Sequence, residues 1–464
     1  MSGTVNRVRF IAIAISVVSN RIFILNNILT FNTSKSDAGD AGSWSATLAL
    51  FNPYVNGGAP AIAAMDYASV ASPMDLFAIY ATRSSVDVPA IPLGPIGSTE
   101  TSVNVSGLKY GDVATIKSLG SDSCVMIGMV DGFEEAPVEM TDSPQPTFTV
   151  HGRDLTKVFY INDVFVPSTS LASAGNVAIR NPITLVVNKV HSGAQLLLDA
   201  LDAIVLKDGS KSGLPAATSA ALKAFGYNWR GFVRVDDTVK LDRNFQHLTA
   251  SKYPPFQVQS GSTWANIQEL QNAPSARLFV DECGNLLFDD TYKAWTSQTA
   301  LKFVTPEDVA VFKISVSDDD LVTFFQVIPA GSLAARIPMA LVTGEGAALG
   351  FGTGIAKGYT PGSTAISTFG YRHGEFSSYW DVDAASAKQK IKVLSLLHNS
   401  LERGTLVLRG TTRVRVGQRI VVPVTTTRTK TTNAVWYVEA VSNNGGMGMP
   451  WSTTLTLRFP NGGI

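Results

Sequence analysis

Cysteine is almost missing from this chain: 464 residues hold two, Cys124 and Cys283, and no CxxC. That excludes a disulfide framework and a cysteine-based zinc site, and makes reduced thiols in a cytoplasm the default. An excess of charge of either sign is missing too. Lys plus Arg equal Asp plus Glu at 37 each, and charged residues are only 16% of the chain. A neutral chain repels itself weakly, which suits an assembly subunit better than a free, highly soluble enzyme. Membrane-length apolar runs are also lacking. Phe10–Val18 follows Arg7 and Arg9 and has the look of a signal peptide, but a span needs about 20 apolar residues. Its β-branched Ile and Val, with no small-residue cleavage site, predict a buried strand and no membrane span.

Catalytic and ligand signatures are equally sparse. His151, His191, His247, His373 and His398 form no HxH, no HExxH and no ligand-like spacing with a carboxylate. There is no GxSxG elbow and no Walker A loop. Gly344-Glu-Gly346 with Gly350, Gly352 and Gly354 lacks the Lys-Ser/Thr that grips phosphate, so a flexible loop is expected over Leu341–Gly354. Asp318–Asp320 with Asp289 and Asp290 lacks the EF-hand order and reads as a solvated turn before a strand, Leu321–Val327. No catalytic residue, cofactor or metal is nominated, and the chain is read as a non-enzyme.

What is present is hydrophobic substance, 45% of the residues, enough for roughly two to four folded domains. Strand signals dominate. Phe10–Val18, Arg21–Phe31 and Ser45–Phe51 read as strands, with a Gly- and Asp-rich Asp37–Gly42 before the third. A helix is expected around Pro73–Ala81, and 54–100 as an insertion between strands of one β domain. Strands resume at Thr101–Val105, Asp112–Ser118 and Cys124–Asp131. Further on, helices are expected over Ala194–Val205, Ala216–Phe225 and Ser262–Gln271, the last capped by Ser262 and Thr263. Ala276–Asp281, then Glu282-Cys-Gly-Asn285, then Leu286–Asp290 is a hairpin signature. A helix over Asp383–Leu401 stops at Arg403-Gly404, and strands follow at Thr405–Arg409, Arg413–Val422, Val435–Val441 and Thr453–Phe459. The expected fold class is β-rich α+β and multi-domain. It has a β domain over 1–168, an α+β middle over 169–315, and a second β domain over 316–464 with a helix near 383–401.

Three groups of residues stand out. Phe148-Thr-Val-His-Gly-Arg-Asp-Leu155 begins as a strand with Phe148 and Val150 on one face and is expected to turn at Gly152. There Arg153 and Asp154 read as an ion pair pinning a domain junction, in preference to a catalytic pair. From Arg403 onward eight basic residues stand against one acidic, Glu439. Arg409, Arg413 and Arg415 share strand parity and are expected as one basic face, with Leu408, Val414 and Val416 turned inward. The plain reading is a solvated face; the functional one is a contact for an acidic protein surface. Thr425–Thr432 reads as a polar hairpin arm, with Arg428 and Lys430 as candidate partner contacts.

Taken in order, several of these segments form a pattern. Leu108-Lys-Tyr-Gly-Asp112, then Met126-Ile-Gly-Met-Val-Asp131, then Phe148–Leu155 resembles the baseplate hub proteins of contractile-tailed phages, the late-control D-like family. Gly261–Ile267 with Leu278–Phe288, then Val416–Ile420, Tyr437–Val441 and Thr453–Leu457, are similar to its later helix start, hairpin and closing strands. The likeness spreads over roughly 100–460, with 54–100 departing from the simple pattern. The resemblance implies a homotrimer with two β-barrel-like tail-tube-type domains per chain, so that three copies ring a central bore. Implied partners are the tail tube protein or a tube-proximal adaptor, the spike, baseplate wedge proteins and the tape measure protein, with DNA only in transit. It also implies a place in the virion baseplate after assembly in the bacterial cytoplasm. Other readings kept open are the hub of a phage-like injection or secretion particle, a cell-wall-degrading tail enzyme and a receptor-binding tail protein. No lysozyme-like or peptidase-like motif is found, so wall degradation is expected to reside elsewhere.

Overall fold

A computed structural model of the chain describes residues 8–16, 21–25, 28–49, 72–73, 75–82, 100–101, 124–136, 147–161, 163–164, 234–235, 261–268, 276–291, 295, 301–319, 321–329, 339–342, 348–350, 370, 372–378, 393–394, 397–398, 402–423, 434–446 and 449–459. Among the described residues the chain is β-rich with few helices. The first strands are β1 (Arg9–Ser16), β2 (Arg21–Leu25), β3 (Ile28–Ser36), β4 (Ser43–Ala49), β5 (Leu76–Thr82), β6 (Glu100–Thr101), β7 (Cys124–Ala136) and β8 (Thr147–Asp154). A short helix α1 (Lys157–Ile161), β9 (Asp163–Val164), β10 (Arg234–Val235), β11 (Gly261–Ser262) and helix α2 (Thr263–Gln268) follow. Next come the hairpin β12 (Ala276–Val280) and β13 (Asn285–Asp290), then β14 (Leu301–Phe303) and β15 (Val309–Val316). The chain continues with β16 (Phe324–Pro329), β17 (Met339–Val342), β18 (Ala348–Gly350) and β19 (His373–Ser378). It closes with β20 (Glu402–Arg409), β21 (Arg419–Val422), β22 (Ala434–Gly446) and β23 (Met449–Arg458).

Among the described residues fourteen strands join in one sheet, in the order β15-β20-β23-β22-β3-β4-β8-β7-β5-β1-β2-β6, with β21 on β22 and β14 on β21. Two hydrophobic cores lie along it. The first takes alternate residues of the early strands: Phe10, Phe31, Trp44, Leu48, Phe77, Val130, Phe148 and Val150 among others. The second takes Leu406, Leu408, Ile420, Trp436, Val438, Leu455 and Leu457, and also reaches back to Phe279 and Val304. Each fully buried large side chain contributes about 1.5–3 kcal/mol of hydrophobic stabilisation.

The predicted hairpin forms with Leu278 opposite Phe288. The helix expected from Ser262 forms as α2, and the Ser262 hydroxyl caps it by accepting from the Ala265 N–H at 3.2 Å. Trp264 is fully buried against Phe159 of α1, with ring centroids 5.7 Å apart. Four expectations are corrected. Pro73–Ala81 is no helix: Leu76–Thr82 is a central strand between β1 and β7. Arg21–Phe31 is not one strand but all of β2 and the start of β3, which pair with different neighbours. Arg413–Val422 is strand only from Arg419. Leu341–Gly354, expected as loop, contributes the end of β17 and all of β18. Residues 393–394 and 397–398 are helical, as expected for 383–401. The helices expected at 194–205 and 216–225 and the strand at 112–118 lie outside the described residues.

Candidate functional site at the seam of two cores

The Gly152-Arg153-Asp154 triplet is not a turn. It is the end of β8, and the strand runs on through Asp154. Gly152 is needed for a different reason. A Cβ there would lie 2.1 Å from the Met129 carbonyl oxygen and 2.7 Å from the Trp44 ring, and one at Gly128 would lie 2.3 Å from the Arg153 carbonyl. The two glycines open a slot across β7 and β8 in which the Trp44 indole lies, donating from Nε1 to the Arg153 carbonyl at 3.1 Å. On its other face Trp44 stacks on Phe77, 4.7 Å between centroids.

Nor do Arg153 and Asp154 pair with each other. Adjacent strand residues point to opposite faces. Asp154 goes inward to Lys35 of β3 at 2.6 Å, with both side chains buried. Its carboxylate also accepts from Gly42 N–H at 2.9 Å and Thr156 N–H at 3.0 Å, and Lys35 donates to the Asp40 carbonyl at 2.8 Å. Arg153 goes outward to Asp131, which Lys157 also meets at 2.7 Å. Partial burial works to raise the Asp131 carboxyl, but its two cationic partners outweigh this and hold it below the usual range. The Gly128-Met-Val-Asp131 and Gly152-Arg-Asp154 motifs are therefore one latch.

Lys35 leads to the seam itself. β3 pairs with β22 in antiparallel register, Ser36 opposite Ala440 through Phe31 opposite Gly445, and this pairing joins the two cores. Past the end of β3 the Asp37 N–H donates to the Glu439 carbonyl at 2.9 Å. The Tyr437 hydroxyl donates to the Asp37 carboxylate at 2.7 Å and accepts from Arg277 of β12 at 2.5 Å. Arg277 also donates to the Gly417 carbonyl at 3.2 Å and lies over the rings of Phe279 and Tyr437. Burial raises the Asp37 carboxyl to about 6 despite the hydrogen bond from Tyr437, with repulsion from Glu439 adding to it. Three distant segments thus meet at one hydroxyl.

The hairpin turn makes a second such node. Asp281 accepts from the Cys283 and Asn285 N–H groups at 3.0 and 2.8 Å, which folds the turn. Glu282 then faces both cores. Its carbonyl accepts from Ile127 N–H of β7 at 2.8 Å, and its Oε1 accepts from Val416 N–H at 3.0 Å. Oε2 is buried without a hydrogen-bond partner. Burial, with repulsion from Asp281, raises the Glu282 carboxyl to about 7. The Cys283 thiol donates to the Cys124 carbonyl at 3.7 Å, which brings the two cysteines together as buried free thiols.

The remaining nominated residues are placed as follows. Arg409 ends β20 and is exposed; Arg413 is exposed in the turn after it; Arg415 turns under toward Asp281 at 3.6 Å. They do not share a strand, although Leu408, Val414 and Val416 are buried as expected. Arg428 and Lys430 lie outside the described residues. Asp318 pairs with Arg372 at 2.6 Å, which ties the aspartate turn. Among the described residues no cluster of His, Cys, Asp or Glu could hold a metal, and no helix is long and apolar enough to cross a membrane. Sequence reasoning missed Lys35, Trp44, Arg277, Tyr437 and Glu282. The partners that tie them across the fold are far off in the chain, 109 residues for Trp44 and Arg153 and 400 for Tyr437 and Asp37, so no local spacing announces them.

No family model and no curated protein matches the chain. Solved structures do. A 43 kDa tail protein of prophage MuSo2 from Shewanella oneidensis is similar over 99% of this chain and 100% of its own, with TM-score 0.50 and 12% identity. The tail protein from Neisseria meningitidis MC58 is similar over 97% of this chain and 96% of its own, with TM-score 0.50 and 10% identity. The chain has the fold of phage tail proteins.

Proposed function

We propose that this chain is a structural tail protein, the trimeric central hub of a phage baseplate that joins the tail tube to the spike and forms part of the DNA passage. The observation that carries this reading is the β3–β22 pairing, which sets two β cores side by side in one sheet of one chain. Three copies then offer six cores to a six-fold tube while remaining three-fold toward a spike. The fold likeness to two tail proteins, one of them from a prophage, supports it. So does the seam, where Asp37, Tyr437 and Arg277 bind one another and Glu282 Oε1 binds the Val416 N–H in the manner of a fastening, with Glu282 Oε2 alone left over among these groups.

On this reading each core is a tube-type barrel, one within 1–168 and one built mainly from 316–464, and the α+β region 169–315 fastens them and lends the second core Phe279, Val304, Phe312 and Ile314. Partners are a second and third copy, the tube protein or its adaptor, the spike, wedge proteins and the tape measure protein, in the virion baseplate after assembly in the host cytoplasm. Arg409 and Arg413 are offered to an acidic partner, and the 425–432 arm reaches a neighbour through Arg428 and Lys430. Deleting 426–431 is expected to impair tube attachment; normal tails from the deletion would remove the arm from the reading. Electron microscopy of particles labelled on this chain tests the whole. Label at the junction of tube and spike is the expected result, and label along the tube or at fibre tips would overturn it.

A further inference from the structure

The chain's two cysteines are 159 residues apart in sequence and meet where the first core touches the hairpin turn. Cys124 opens β7, whose next residues Val125 and Met126 belong to the first core. Cys283 lies in the turn between β12 and β13, and Phe279 of β12 belongs to the second core. The bond from Ile127 N–H to the Glu282 carbonyl, 2.8 Å, holds this turn against β7. The Cys283 thiol thereby reaches the Cys124 carbonyl at 3.7 Å and comes within hydrogen-bonding reach of the Cys124 thiol as well. Both residues are buried, and a thiol pair sealed in a core is inert. This pair is not sealed. A part-open cleft with room for one water-sized molecule runs in beside Cys124, lined also by Glu282, Thr411, Thr412, Arg415 and Asn443. Glu282 Oε2 is buried without a hydrogen-bond partner, so the cleft has a polar group to spare for a small guest. The Cys124 thiol beside it and burial push the Cys283 thiol up, and the Arg415 charge works the other way. Cys283 therefore waits as a thiol, and Cys124, on the cleft, is the sulfur an entering molecule meets first.

We propose that Cys124 and Cys283 are a disulfide-forming pair, which hydrogen peroxide entering the cleft closes into a bolt between β7 and the hairpin turn. This goes beyond the tail reading and does not depend on it. In the first step the Cys124 sulfur attacks one peroxide oxygen and the O–O bond breaks. The thiol proton leaves with the other oxygen as water, and Cys124 becomes a sulfenic acid. In the second step the Cys283 sulfur attacks the Cys124 sulfur and the S–O bond breaks. The hydroxyl leaves with the Cys283 proton as a second water. Two electrons have then passed from the two thiols to the peroxide. In a reducing cytoplasm the thiols persist, and the bolt forms once the chain meets an oxidising medium. The closed bond ties the strand that carries the first core to the hairpin that serves the second. It also closes a long loop in the unfolded chain, which favours the folded state.

The test treats the folded full chain, purified under reductant, with hydrogen peroxide and follows it by mass spectrometry without reductant. The wild type is expected to lose the mass of two hydrogens and to yield one linked peptide pair holding Cys124 and Cys283. Its urea midpoint should rise, and dithiothreitol should reverse both changes. Cys283→Ala should stop at a sulfenic acid on Cys124, captured by dimedone, with no rise in midpoint. The wild-type result decides the proposal whether or not the variant folds. Thiols that stay unlinked after peroxide and react only once the chain is unfolded overturn it. So do a link formed between two chains and oxidation of Cys124 to a sulfinic acid with Cys283 untouched.

Discussion

The Lys35 ammonium sits 2.6 Å from the Asp154 carboxylate, and both side chains are almost fully removed from solvent. The pair ties the last residue of β8 to the strand that carries the seam. Removing one partner of a buried pair leaves an uncompensated charge and costs about 3–5 kcal/mol. Asp154→Ala is therefore expected to destabilise the chain by that amount in urea denaturation. Arg153→Ala, next to it but at a part-exposed pair, should cost about 0–1 kcal/mol. Equal losses for the two would refute the assignment of the latch to Asp154.

That contrast also marks how far the sequence could be read. The alternation Phe148, Val150, Gly152, Asp154 is plain in the letters, and all four are buried. Which residue Asp154 meets is not, because Lys35 lies on another strand over a hundred residues earlier and nothing local marks it. β5 shows a different limit. Leu76 to Ala81 are all buried, so the strand is covered on both faces and has no period to detect. Ahead of it Ser72 and Asp75 mimic a helix start but close a turn, the Asp75 N–H donating to the Ser72 carbonyl at 3.0 Å and the Asp75 carboxylate accepting from Ser72 N–H at 2.8 Å. The hairpin at 276–290 was legible because its turn chemistry is local. Its role between two cores was not, because Ile127 and Val416 are supplied by the fold.

Tyr437 serves two partners with one oxygen, so Tyr437→Phe strips a donor from Asp37 and an acceptor from Arg277 together. A loss of about 1–3 kcal/mol is expected from the groups left behind. The Asp37 carboxyl should also rise above about 6, since the Tyr437 hydroxyl now works to lower it. Carboxyl-resolved NMR titration reads this shift directly. An unmoved Asp37 would mean the hydroxyl bond is not made in solution.

Arg419 is 6% exposed, and its Nε and Nη1 are buried without hydrogen-bond partners. Burial lowers its pKa. An unpartnered polar group in such a place costs about 1–3 kcal/mol. Arg419→Met keeps the aliphatic stem against its neighbours and deletes the guanidinium. The isolated chain should become more stable, read as a higher denaturation midpoint at unchanged m-value. A lower midpoint would show that Arg419 finds a partner in solution.

Glu282 gives the seam a pH dependence whose sign follows from burial. Its carboxyl titrates at about 7 in the folded chain against 4.5 for the free group. Between those values the folded state keeps a proton that the unfolded state has released. Stability therefore falls as pH rises through this window and levels off above it, by up to about 3 kcal/mol. Asp37 acts in the same direction over a lower window, from 3.8 to about 6. Glu282→Gln keeps an oxygen for the Val416 N–H and removes the titration. Denaturation from pH 5 to 8 should then show a shallower decline for the variant than for the wild type, and the variant should be the more stable of the two at pH 8. Parallel curves would place the ionisation elsewhere; a steeper variant would reverse the sign and count against a neutral, buried Glu282 between the two cores.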